Sequence, residues 1–268
     1  MEELVEIEDI ELAYRKLKHV VYWDTTYSFL RGQIADFEAK ENLKDVFKSI
    51  AHAIKTQERS FFTDYIEDVD YFQLPKATPT NYKEEDGVIT NITDTEKIVV
   101  KRDFKFINVD IRLHIISVLW ILQGGFKLEK DMVVKPHGNR LRFSNEKNEI
   151  LEGLPLFYPY AKLYKKWRDN AFIKAREVVA EKKNVLILSL DVMNYYPSVR
   201  LNIEALKEAL QEKGYKVILN FLTDVLEELH KDYAMKININ RRRLKTNTPN
   251  ESNSRFSEYG FCFGFKIF

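Results

Sequence analysis

Cysteine is almost absent from this chain. One residue, Cys262, stands among 268, which excludes an internal disulfide and any zinc site built on several thiolates. Glycine and proline are scarce too, nine and seven residues. No glycine-rich phosphate loop is present, and Gly124-Gly125 reads as a helix stop. No stretch of about 18 uncharged apolar residues occurs, so no membrane span is expected. Net charge of one sign is missing as well: 42 basic against 41 acidic side chains leave +1, which alone names no partner. The N-terminus carries Glu2, Glu3, Glu6, Glu8, Asp9 and Glu11, the wrong sign for a secretion signal. Together these absences point to a cytoplasmic protein with no membrane partner. Apolar residues are plentiful, 45% of the chain with 13% aromatic. That supply supports a sizeable core and argues against disorder.

The even charge balance hides an uneven distribution. Between 162 and 176, six basic residues (Lys162, Lys165, Lys166, Arg168, Lys174, Arg176) stand against one acid, Asp169. Lys231, Lys236, Arg241, Arg242, Arg243 and Lys245 form a second cluster against Asp232. Such patches suit a phosphate backbone and equally suit ordinary solvated helices.

Hydrophobic spacing predicts helices through the first sixty residues: Leu12, Leu17, Val20 and Val21, then Leu30, Ile34 and Phe37, then Leu43, Val46, Phe47, Ile50, Ala51 and Ile54. Residues 74–97, with Pro75, Pro79 and Gly87, read as a loop or irregular insertion. Ile98–Val100 reads as a short strand. Asp110–Leu122 reads as a buried helix ended by the glycine pair. Residues 131–143 read as a strand pair around His137-Gly138-Asn139, with Arg140 and Arg142 alternating with Leu141 and Phe143. His137 fits a turn better than a metal site, because no cysteine or second histidine lies near it in sequence. Pro159–Ala180 reads as a helix, with Tyr164, Trp167, Ala171, Ala175, Val178 and Val179 on one side and the basic residues on the other. Asn184–Leu190 is an apolar run of β type leading into Asp191. Two more helices follow, one on Ile203, Leu206 and Leu210, the other on Leu222, Val225, Leu226 and Leu229. Helices around a few strands make an α+β chain.

A carboxylate delivered to the end of an apolar strand is held rigidly while facing solvent, which suits a divalent cation. Asp191 answers that description. The same pattern also arises from an exposed strand-end aspartate followed by two core tyrosines, Tyr195 and Tyr196. A metal-dependent phosphohydrolase would place its aspartate similarly, but usually with a second one two residues on, and Asn194 does not serve.

The run Leu190-Asp-Val-Met-Asn-Tyr-Tyr-Pro-Ser-Val199 resembles the first palm motif of the reverse transcriptases. Further segments resemble the abortive-infection branch of bacterial phage-defence reverse transcriptases. They are Trp23-Asp24 with Leu30–Glu38, Phe106-Ile107 with Leu113–Ile116 and Leu119–Ile121, His137–Leu141, Phe157–Tyr160, and Tyr164–Asn170. Within that branch the chain is most similar to the second polymerase subunits of type 3 defence systems.

This resemblance implies an RNA-directed DNA polymerase working by two-metal nucleotidyl transfer with Mg2+. It makes Asp191 the catalytic metal ligand, with the Val192 carbonyl as a further ligand. Tyr196 becomes the steric gate that favours deoxynucleotides. Arg140 and Arg142 become candidates to hold template or triphosphate, and Lys165, Lys166 and Arg168 candidates for the template backbone. The implied partners are an RNA or DNA template-primer, deoxynucleoside triphosphates and a second polymerase subunit. The implied architecture is a mainly helical N-terminal extension over 1–97, a fingers-like region over 98–180 and a partial palm over 181–253. The tail at 254–268 is anomalous.

The pattern is incomplete. The second palm motif and the aromatic-x-Asp-Asp turn of the third are missing, and Glu67–Asp70 lies on the wrong side of Asp191 to replace them. From Arg255 the chain turns to Phe256, Phe261, Phe263, Phe265 and Phe268. We therefore expect a truncated polymerase whose reading frame is disrupted near residue 253, inactive as this chain alone. The alternative is a non-catalytic nucleic-acid-binding or assembly subunit partnering a complete polymerase.

Overall fold

The apolar stripes of the first sixty residues become helices that share one core. Helices α1 (Ile7–Trp23), α2 (Ser28–Lys40), α3 (Leu43–Thr56) and α4 (Ser60–Glu67) turn Ile10, Leu17, Ile34, Ile50, Ile54 and Phe62 fully inward. Helix α3 starts at Asn42, whose side chain accepts the Lys44 N–H, and stops at Gln57 in the left-handed conformation at φ 55°. Both devices satisfy backbone groups that a helix end leaves unpaired. The computed structural model describes residues 5–23, 27–75, 103–130, 132, 140–142, 153, 155–188, 202–212 and 217–246.

A two-stranded antiparallel sheet follows, β1 (Asp70–Pro75) against β2 (Asp103–Asn108), in the register Asp70↔Asn108 to Pro75↔Asp103. Phe72 and Phe106 stack across it at 5.3 Å, while Phe29 of α2 closes on Phe72 at 4.7 Å. Cross-strand aromatic pairs of this kind stabilise a short sheet that would be marginal alone. The loop expected over 74–97 therefore begins later, because Leu74 and Pro75 complete β1. The expected strand at Ile98–Val100 lies outside the described residues, and the strand observed is Asp103–Asn108.

Helix α5 (Ile111–Trp120) is the centre of the core. Asp110 caps it by accepting the Arg112 N–H at 2.8 Å. Nine of its ten residues are buried, as a helix apolar around most of its circumference requires. Arg112 is the exception. Its guanidinium bonds Glu41 at 2.7 Å and Asp110 at 3.1 Å. It also lies over the rings of Phe37 and Tyr65 at 5.1 and 4.9 Å, fixing α2 and α4 against α5.

The glycine pair does not stop this helix. A π turn (Ile121–Gly125) carries it into α6 (Phe126–Lys130). The reason is packing: a Cβ on Gly124 would lie 3.0 Å from Leu219, so the glycine permits close approach of a second helix rather than chain reversal. The stretch Ile111–Lys130 is long and apolar enough to cross a membrane by length and composition, but 72% of it is buried inside the chain.

Helices α7 (Tyr160–Ala180), α8 (Ile203–Glu212) and α9 (Val217–Thr246) complete the described elements. Helix α9 buries Leu222, Val225, Leu226 and Leu229, as the spacing predicts, and adds Leu219 and Phe221. Trp120 donates its indole N–H to Thr223 at 2.9 Å, and Arg59 pairs with Glu228 at 2.9 Å. Lys207 ties α8 to α9 through Asp224 at 2.6 Å. The chain is thus α+β, mostly helical with a small two-stranded sheet.

Candidate nucleic-acid interface

Asp191, Val192 and Tyr196, the residues on which the sequence places polymerase chemistry, lie outside the described residues. Among the described residues no group of three or more His, Cys, Asp or Glu converges on a point that would hold a metal ion. The described side chains therefore do not form a magnesium site.

The β-type run before Asp191 is only partly described, and what is described is not a strand. Residues 183–188 have no regular structure, and Leu186 and Leu188 are 92% and 74% exposed. An apolar extended segment becomes a strand only when a neighbour pairs its N–H and C=O groups. Among the described residues no such neighbour lies beside it.

Arg140 is already engaged. Its Nε donates to Glu129 at 2.5 Å, and its side chain is only 16% exposed. The other oxygen of Glu129 accepts the Leu141 N–H at 2.7 Å. Leu141 forms an antiparallel bridge with Phe157, and the flanking bonds Arg142 N–H to Leu156 O and Tyr158 N–H to Arg140 O are both 2.9 Å. The expected strand pair within 131–143 lies mostly outside the described residues, and the partner seen for residue 141 is residue 157 instead. Arg142 is half-buried, with its guanidinium over the Tyr158 ring at 5.8 Å. Arg140 thus clamps this bridge to α6 through Glu129, while Arg142 packs over Tyr158 beside the bridge itself. Glu129→Ala deletes both the pair with Arg140 and the acceptor of the Leu141 N–H and is expected to cost about 1–3 kcal/mol of stability. Urea unfolding checks it, and a cost below about 1 kcal/mol would contradict the clamp.

Helix α7 carries Lys165, Lys166 and Arg168, and it differs from every other helix described at length. None of its 21 residues is buried. Tyr160, Tyr164, Trp167 and Phe172 are 64%, 45%, 46% and 51% exposed. Rings line one side, Tyr160 stacked on Tyr164 at 5.8 Å and Trp167 tilted against Tyr164 at 5.7 Å. The helix ends at Lys182 in the left-handed conformation, φ 57°. There the N–H groups of Lys182 and Lys183 bond the Val179 and Val178 carbonyls.

The helical repeat separates the three basic candidates. Arg168 lies three residues after Lys165, so these two share a flank, while Lys166 is rotated about a quarter turn from Lys165, away from Arg168. Arg168 also meets its neighbour Asp169 at 2.9 Å, an exposed pair that holds it weakly. The exposed Tyr160 and Phe172 were not singled out by periodicity, which marked instead a stripe through Tyr164 and Trp167. Their spacing in fours with Tyr164 and Arg168 was the available signal.

The chain matches no protein-family model, no curated protein and no solved structure.

Proposed function

We propose that this chain handles nucleic acid as a member of the reverse-transcriptase family, of the phage-defence kind. The observation that supports this reading best is α7: a solvent-facing helix with Lys162, Lys165, Lys166, Arg168, Lys174 and Arg176 on it. Those cations precede, by less than thirty residues, the Leu190–Val199 run that resembles the first palm motif. Template-directed nucleotidyl transfer needs both cations for the strand and a carboxylate for the metal, and here they follow one another closely in sequence. The cations neutralise the strand backbone while the carboxylate serves the reacting phosphate. On this reading Asp191 binds catalytic Mg2+, Val192 assists through its carbonyl, and Tyr196 selects deoxynucleotides. The partners are a template-primer, deoxynucleoside triphosphates and a second polymerase subunit, met in the cytoplasm. The fingers and palm assignment of 98–253 belongs to the same proposal.

A lone Asp191 does not offer enough oxygen ligands for two divalent cations, and the second and third palm motifs are not among these 268 residues. The expected result for this chain is therefore nucleic-acid binding without nucleotide incorporation. Purified chain is incubated with primed RNA, labelled deoxynucleotides and Mg2+, with Asp191→Ala alongside. Incorporation abolished by Asp191→Ala would establish a working polymerase and overturn the expectation of inactivity. Failure to bind any nucleic acid would sink the whole reading.

A further inference from the structure

Along α7 the residues spaced by four are Tyr160, Tyr164, Arg168, Phe172 and Arg176. Residues four apart are neighbours on the helix surface, about 6 Å apart along the axis and about 40° apart around it, so these five form one ridge that winds about 160° around the helix from Tyr160 to Arg176. Every member is exposed. We infer that this ridge is a track for single-stranded nucleic acid, with bases stacked on Tyr160, Tyr164 and Phe172 and phosphates met by Arg168 and Arg176. The inference rests on the proposed nucleic-acid function and narrows it to one strand state.

Three features of the ridge support this occupant over others. First, aromatic rings left in water expose large apolar faces at a cost in free energy, and base faces are flat partners that cover them. Such stacking contributes about 1–3 kcal/mol per base and tolerates any sequence. Second, cations interrupt the ridge. Arg168 already has Asp169 beside it, but a protein partner that buried Arg176 would have to supply a carboxylate to it. A nucleic-acid strand brings an anion with every nucleotide, and guanidinium planes themselves stack on bases. A second copy of this chain would bring the same positive flank and be repelled. Third, Tyr160 and Tyr164 already stand with ring centres 5.8 Å apart and planes within 29°, so little side-chain freedom remains to be lost on binding. Duplexes are excluded by the same logic, because their base faces already stack on each other.

Because no side chain of α7 is buried, its variants should leave the fold intact, and unchanged thermal melting verifies that for each. Fluorescence anisotropy of the full chain would be read with an oligothymidylate of about 20 nucleotides, long enough to run the length of the helix. A duplex of equal length is read in parallel. The chain should bind the single strand more tightly than the duplex. Tyr164→Ala and Phe172→Ala should each weaken single-strand binding about tenfold and leave duplex binding nearly unchanged. Arg168→Ala with Arg176→Ala should weaken both forms and flatten their salt dependence. Trp23→Ala, exposed but remote from the ridge in sequence, should change neither. Equal affinity for both forms, untouched by the aromatic variants, would overturn the track while leaving a basic nucleic-acid-binding chain standing. No binding to either form would overturn both readings. A dimer that Tyr164→Ala dissociates would assign the ridge to a second copy and overturn the track.

Discussion

Trp120→Ala should destabilise the chain by about 3–5 kcal/mol, the cost of deleting a large buried aromatic whose space cannot collapse. Trp120 is 4% exposed and sits where α5 meets α9. Its indole N–H donates to Thr223, and the Thr223 hydroxyl in turn donates to the Leu219 carbonyl at 2.7 Å. Leu219 is also the side chain that presses on Gly124. The ring and these neighbouring contacts therefore meet at one seam between α5, the π turn and α9. Thr223→Val removes the hydroxyl that accepts the indole N–H and should cost about 1–3 kcal/mol. Trp120→Phe keeps most of the volume, and the threonine hydroxyl keeps its bond to Leu219. Its cost should fall well below that of Trp120→Ala. Urea unfolding of the three variants gives the order, and a Trp120→Ala cost below about 1 kcal/mol would show that α9 does not depend on α5.

That helix pair was half legible beforehand. The apolar density of Ile111–Ile121 marks a buried helix without ambiguity, and Leu222, Val225, Leu226 and Leu229 mark its partner. Their contact was not legible, because it joins residues about a hundred positions apart and nothing local records it. Gly124-Gly125 shows how a local rule loses to a tertiary one. Paired glycines commonly end helices, but here close packing against Leu219 makes the missing Cβ useful inside a continuing helix. β1 escaped notice because Asp70–Pro75 carries a proline and borders a polar stretch. Its stability comes from Phe106 and Phe29, which lie elsewhere in the chain.

The site was less legible than the fold, for a physical reason. Alternation placed Arg140 and Arg142 on a strand face and suggested two free cations. Whether a cation is free depends on where the nearest carboxylate lies in space, and Glu129 lies on α6, eleven residues earlier. The spread of the cations on α7 was legible from sequence because helix geometry alone determines it. The helix has no core contact to hide them. Asp191 and Tyr196 rest on the sequence resemblance alone.

Acid should unfold this chain earlier than its carboxylates alone would dictate. His114 and His230 are buried in α5 and α9, and burial lowers each from 6.5 to about 4. His114 Nε2 has no hydrogen-bond partner, so nothing compensates a charge placed there. Between pH 6.5 and 4 the unfolded chain takes up protons that the folded chain refuses. The stability tied to the neutral rings is complete above about pH 6.5 and is lost as pH falls toward 4. A shift of this size is worth about 3 kcal/mol per histidine. Glu38 and Glu227, held low by Lys18 and Lys231, also lose stability on acidification, but only below the usual carboxylate range. Asp232, raised by burial, acts weakly in the opposite sense. The window from pH 6.5 to 4.5 therefore belongs to the histidines. Urea unfolding at several pH values should show stability falling steeply across it, and His114→Leu with His230→Leu should flatten that fall while leaving the lower limb in place. An unchanged slope in the double variant would mean that both rings reach water or an acceptor in solution, and that α5 and α9 separate more readily than their packing implies.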